Sequence, residues 1–173
     1  MCVSNGTDSM VFVMTLPCAI DQKRGRYVKN IFEALRESHD KQRRLLDALT
    51  DTHGDSDTRD GIFVALKAEL AHHAAAEERY FYVPLMEYDM TQEKARHSVA
   101  EHHEIDELVE SLETTDYSSP AWLSDAKKLR ELVTHHLEEE EQEVFQQAGR
   151  VLGEEDKTEL AKSYDAFMAE MTG

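Results

Sequence analysis

The chain has 173 residues, of which 36 are acidic and 19 are basic, so its formal net charge is -17. A chain of this length buries enough surface for one sizeable core and too little for two. So negative a surface repels phosphate backbones and anionic lipid headgroups, which excludes nucleic acid and membranes as expected partners.

Residues 1–25 are expected to be a poorly ordered extension, unless translation starts at Met10 or Met14. Cys2 and Cys18 lie outside every periodic segment, so they predict neither a disulfide framework nor a zinc ribbon. The apolar run in this region is about half the ~20 residues that span a bilayer. No basic residue precedes it, as a signal peptide would require, and we therefore expect a cytoplasmic protein.

The first two predicted helices form a hairpin. Apolar residues at helical spacing run from Arg26 to about Leu49, and the polar stretch 52–57 then interrupts the pattern. A second helical pattern extends from Ile62 to Leu85, where a proline weakens the hydrogen bonding near its end.

A second hairpin and a shorter helix follow. Thr91 is expected to cap the third helix, and Ser119 followed by Pro120 is a helix start signal for the fourth. The fourth helix is expected to extend to about Arg150, with Gly153 closing it.

These helices predict an all-α protein with an antiparallel up-down four-helix bundle over residues 26–150. Residues 151–173 are expected to form an extra C-terminal helix packed on the bundle. An offset of 63 residues relates the two hairpins and maps, for example, Leu66 onto Leu129. The bundle is therefore predicted to repeat a two-helix unit.

Histidines and glutamates repeat with the same offset. On two helices a histidine is followed four residues later by a glutamate, a spacing that places both side chains on one face. Two further histidines, near the middles of the other helices, are related by the same 63 residues, and all six positions lie on apolar seams. The candidate metal ligands are His39, His73, Glu77, His102, His136 and Glu140.

The register separates these residues from the histidines beside them. His73 has a carboxylate four residues later, whereas His72 has Ala76 there, and residue 40, which the offset relates to His103, is an aspartate. His72, His103 and His135 are therefore expected to flank the site.

Buried imidazoles and carboxylates cost several kcal/mol each unless they are compensated. A metal centre supplies that compensation, and hydrogen bonds among the six side chains are the alternative. Nitrogen and oxygen donors without thiolate disfavour copper(I) and iron-sulfur clusters, and six ligands exceed one tetrahedral zinc. We expect two cations with Glu77 and Glu140 bridging between them, with iron as the first choice, manganese the second and zinc the third.

Four segments carry a family resemblance: His39, His73-Ala-Ala-Ala-Glu77-Glu78, Glu101-His102, and His136-Leu-Glu-Glu-Glu140-Glu141 with Val144-Phe145 following. Over about residues 28–148 the chain resembles the hemerythrin-like, or HHE cation-binding, domain. The resemblance implies a non-haem di-iron centre, often oxo- or hydroxo-bridged, that binds O2 or related small molecules. It also implies that the six residues named above are the metal ligands.

One position departs from the oxygen-carrying hemerythrins, which have two histidines four residues apart on the third helix. Here Ser98 stands four residues before His102. His97 is no substitute, because a five-residue step turns about 140° around a helix of 3.6 residues per turn. Both irons are then expected to be open unless Tyr80 or Asp106 fills the position, and two open sites favour reaction over reversible carriage.

The expected function is binding or sensing of O2, NO or peroxide by a di-iron protein. A di-iron enzyme that consumes peroxide or NO is one alternative, and an iron-storing structural bundle is another. Iron-sulfur cluster repair is a further alternative, weakened because the repair proteins usually carry an N-terminal cysteine pair, whereas Cys2 and Cys18 are not adjacent. Whether the protein is an enzyme and how it oligomerises stay open.

Overall fold

The computed structural model describes residues 28–173, which form five helical rods. The expected N-terminal extension and both cysteines lie outside the described residues. The rods are α1 (Ile31–Thr50); α2 (Asp57–Glu77, continuing through a π-helical turn at Glu78–Tyr82 and Val83–Leu85); α3 (Gln92–Thr114); α4 (Pro120–Glu139, continuing through a π-helical turn at Glu140–Val144 and Phe145–Val151); and α5 (Glu154–Thr172).

The helix starts follow local capping chemistry. The α1 helix begins at Ile31 and not at the expected Arg26, because Asn30 accepts a hydrogen bond from the Glu33 amide while the Glu33 carboxylate accepts one from the Asn30 amide. Ser119 caps α4 as predicted, accepting from the backbone two residues later. Thr91 occupies the cap position of α3, but its hydroxyl donates to a carbonyl at the end of α2.

The fourth helix ends at Val151, and Gly153 stands at the N-cap of α5, so this glycine begins the last helix and does not close the fourth. The α5 helix packs against α1 and α2. Its buried Tyr164 joins the core between them. None of the helices in residues 28–173 is both long enough and apolar enough to cross a bilayer.

The four long rods form the predicted antiparallel bundle, in which α1 packs on α2 and α4, and α3 packs on α4. The buried apolar residues fall into two clusters. One cluster surrounds Trp122, Phe63 and Leu46, and the other surrounds Phe81, Phe145 and Leu35. A band of buried polar residues lies between the two clusters on every long helix.

Candidate metal centre

The six predicted ligand residues meet in this polar band. Each of the four bundle helices contributes one histidine, and α2 and α4 each contribute one glutamate as well. All six side chains are buried, with at most 5% of each residue exposed: His39, His73, Glu77, His102, His136 and Glu140.

Their donor atoms form two groups that share one carboxylate. Glu77 gathers with His39 and His73 in the first group and with His102 and His136 in the second, and the donor atoms of each group lie within 4.8 Å of one another. The Nε2 atoms of His102 and His136 are 3.2 Å apart. Glu77 is therefore common to both groups.

The second glutamate, Glu140, also directs its carboxylate at a histidine of the pocket. Glu140 Oε2 lies 3.1 Å from His39 Nε2, while Glu77 Oε2 lies 3.3 Å from both His73 Nε2 and His102 Nε2. The carboxylates and the histidines therefore point their donor atoms into one shared space.

Several of these atoms are buried without a satisfied hydrogen bond. Within residues 28–173, they include His39 Nε2, His73 Nε2 and both carboxylate oxygens of Glu77 and of Glu140. Unsatisfied buried polar groups are rare in folded proteins and costly when they carry charge. Their convergence fits a metal cation site built from imidazole nitrogen and carboxylate oxygen.

The outward-facing nitrogens of the imidazoles are all engaged. Three Nδ1 atoms lie 2.9 to 3.0 Å from a carboxylate oxygen: His39 from Glu141, His102 from Glu78, and His136 from Glu101. The fourth, on His73, lies 2.8 Å from the phenol oxygen of Tyr164. An imidazole that donates from Nδ1 presents an unprotonated Nε2 to a metal, so these partners orient all four rings for binding.

Sequence reasoning did not assign these partners. A signal was present for two of them, because Glu78 and Glu141 each follow a candidate ligand and are related by the 63-residue offset. Each reaches a histidine on a neighbouring helix, which no pattern within one helix reveals. Tyr164 comes from α5, outside the repeat altogether.

In the metal-free protein, the pKa values of several acids and bases in the pocket are strongly shifted. Burial alone would lower the pKa of His39 and of His102, but their carboxylate neighbours outweigh it and raise the pKa of His39 to about 9 and of His102 to about 10. Burial dominates at His73 and lowers its pKa. Burial together with the charge of Glu77 raises the pKa of Glu140.

Tyr80, one of the two residues considered for the open position, packs away from the histidines. Its ring packs on Phe167 of α5, with centroids 5.9 Å apart. The π-helical turn after Glu77 adds a residue to the helical repeat, which turns Tyr82 toward the site instead. The ring of Tyr82 lies 5.8 Å from that of His102.

The Tyr82 hydroxyl is fully buried and has no well-aligned hydrogen-bond partner among the described residues. Burial, followed by the charges of Glu140 and Glu77, raises its pKa well above the usual value, so the phenol stays protonated. Ser98, where the fifth histidine is missing, is also a neighbour of this hydroxyl. Tyr82 is therefore a neighbour of both Ser98 and the carboxylates of the pocket.

A small cavity of about 10 Å³ adjoins His73, His102 and His136, which is about the space of one water molecule. Buried Gln42 lines it, and exposed Asp106 stands at its rim. The free space beside the histidines is therefore no larger than a water molecule.

The flanking histidines lie outside the pocket. His103 and His135 are mostly exposed, each beside a glutamate of its own helix, and His72 is half-buried. His97, which is also exposed, forms a surface group with Glu101 and Glu139.

The chain is similar to known proteins. The family model described as the hemerythrin HHE cation binding domain matches residues 30–148. A crystal structure of a hemerythrin HHE cation binding domain-containing protein from Mycobacterium kansasii has a TM-score of 0.75 at 22% sequence identity, covering 83% of this chain and 87% of that chain. A comparison with curated proteins finds no match.

Proposed function

Because the chain belongs to the hemerythrin HHE cation-binding family, we propose that its buried pocket holds two iron ions and binds O2, NO or peroxide. The observation that carries this proposal is the pair of histidine groups that share Glu77. Two groups with one common carboxylate accommodate two cations side by side, and six nitrogen and oxygen donors suit iron.

The proposed ligands divide between the two cations by their contacts. His39 and His73 would hold the first, His102 and His136 would hold the second, and Glu77 belongs to both groups. Glu140 lies against His39 and completes the donor set on the side of the first cation. Iron in such a donor set supplies reversible binding of small ligands and one-electron chemistry.

The surrounding residues control what reaches the pocket. The two apolar clusters above and below the polar band exclude bulk water, which strengthens every electrostatic contact inside. The cavity beside the histidines is small, which favours small molecules as the ligands. The protonated Tyr82 hydroxyl is available to donate a hydrogen bond to such a ligand.

A second candidate function is enzymatic consumption of peroxide or NO. The observation that favours it is the same Tyr82 hydroxyl, since a proton donor beside an open coordination position suits turnover better than carriage. Stopped-flow addition of peroxide to the reduced protein distinguishes the two functions. Many turnovers support the enzyme, and one stoichiometric oxidation supports a binding or sensing role.

The test of the main proposal is metal analysis of the purified chain after anaerobic loading with ferrous iron. We expect about two irons per chain, with near-ultraviolet absorption typical of a bridged ferric pair after exposure to air. A chain that binds a single zinc, or no metal, contradicts the proposal. Iron far in excess of two per chain supports the storage alternative instead.

A further inference from the structure

The four histidines of the pocket differ in what orients them. Three have a carboxylate on Nδ1, whereas His73 has the neutral phenol of Tyr164. Tyr164 lies in α5, beyond residue 148 where the family match ends. The residue that orients one candidate ligand therefore comes from outside the matched four-helix unit.

The internal repeat explains why this partner is needed. The offset of 63 residues maps Glu101, the partner of His136, onto Ser38. A serine side chain is too short to replace that carboxylate, and His73 would have no acceptor from α1. The Tyr164 phenol occupies this place, and Ser38 is a neighbour of its hydroxyl.

Polar contacts continue from Ser38, beside Tyr164, toward the surface. Ser38 Oγ donates to Glu69 Oε1 at 2.6 Å, and the ammonium of Lys41 holds the other oxygen of Glu69. Tyr164 is 2% exposed and Glu69 is also 2% exposed. The anionic group of this network, Glu69, is separated from the imidazole by the Tyr164 phenol and the Ser38 hydroxyl.

We propose that Tyr164 is a positioning residue that completes the metal centre from α5 and makes the cation held by His73 chemically unequal to its neighbour. The inference rests on the proposed dimetal function. If Nε2 of His73 holds a cation, the ring proton is on Nδ1 and would be donated to the phenol oxygen. A neutral phenol oxygen is a weaker acceptor for the Nδ1 proton than a carboxylate is. The Nε2 atom of His73 is therefore the weakest electron donor of the four imidazoles.

The test uses Tyr164→Phe, which keeps the ring beside His73 and removes only the hydroxyl. The probe is cobalt(II), read by proton NMR of the solvent-exchangeable imidazole N–H signals near the paramagnetic ions. We expect four such signals in the unsubstituted protein. In Tyr164→Phe, one of them should shift, or should broaden because its N–H proton exchanges faster with water. Competition with a chelator should show one cobalt equivalent weakened about tenfold to a hundredfold.

Two further variants separate positioning from packing. Ser38→Ala should move the same single signal by a smaller amount, and it replaces Tyr164→Phe if that variant does not fold. Tyr80→Phe also contacts α5 but faces away from the pocket, so it should leave all four signals unchanged.

The outcomes are distinct. Unchanged signals in both Tyr164→Phe and Ser38→Ala overturn the inference, and so does a general disturbance of all four signals, which indicates loosened packing. If the unsubstituted protein does not bind two cobalt ions, the proposed dimetal function itself fails.

Discussion

At the scale of single residues, adjacent histidines have opposite environments. His102 is 5% exposed and faces the pocket, whereas the side chain of His103 is 77% exposed. We expect His102→Ala to lose most of its iron, since it removes a donor and leaves Glu77 less compensated, while His103→Ala keeps about two irons per chain. Metal analysis of both variants after the same loading is the measurement. Equal loss in both would contradict the register argument.

The Tyr82 hydroxyl has a separate predicted role. Because it is buried without a well-aligned partner, Tyr82→Phe should keep both irons and bind azide, a probe for small anionic ligands, about two- to tenfold more weakly. An optical titration of the iron-loaded variant measures this, with Tyr80→Phe as the control that binds azide normally. Loss of iron from Tyr82→Phe would instead identify the phenol as a metal ligand.

At the scale of secondary structure, the periodic pattern predicted what one helix can specify. Apolar spacing indicated four long helices, and the 63-residue offset placed six polar residues on their inward faces. It could not show the π-helical turn that brings Tyr82 in place of Tyr80, because the extra residue breaks the 3.6-residue period on which the pattern depends. Nor could it show that α5 reaches His73, since that contact joins residues 91 positions apart.

The start of α1 gives a prediction at this scale. Asn30 accepts from the Glu33 amide, so Asn30→Ala removes half of the capping box. The expected cost is about 1 kcal/mol, equivalent to a thermal midpoint about 2 to 4 °C lower for a chain of this size. Calorimetry of the metal-free protein measures it. Asn30→Asp, which preserves the acceptor, should stay near the original midpoint, and an equal fall in both would contradict the capping explanation.

At the scale of the whole molecule, the polar centre of the bundle stabilises the fold less than the apolar clusters on either side of it. Two apolar clusters hold the helices together at either end, and between them the chain buries histidines and glutamates whose donor atoms do not satisfy one another. Without a cation, the pocket relies on protons to moderate its charge. Folding and metal binding are therefore coupled through the same six side chains.

Because folding and metal binding are coupled, the stability of the metal-free protein and that of the metal-loaded protein should depend on pH in opposite ways. The pKa values of His39 and His102 are raised to about 9 and about 10 in the folded, metal-free chain, so their stabilising contribution is complete below pH 6.5 and is lost as the pH rises through these values. The raised pKa of Glu140 acts in the same direction. The thermal midpoint of the metal-free protein should therefore fall by several degrees between pH 6.5 and 9.

The metal-loaded protein is the matched control, because it has the same surface charge and the same lysines. Cations replace the protons in the pocket and bind deprotonated imidazoles more tightly as the pH rises. The gap between the two midpoints should accordingly widen from pH 6.5 to 9, as measured by calorimetry in parallel buffers. Parallel decline of both forms would mean that surface repulsion, arising from the net charge of -17, governs alkaline stability and that the buried pocket does not.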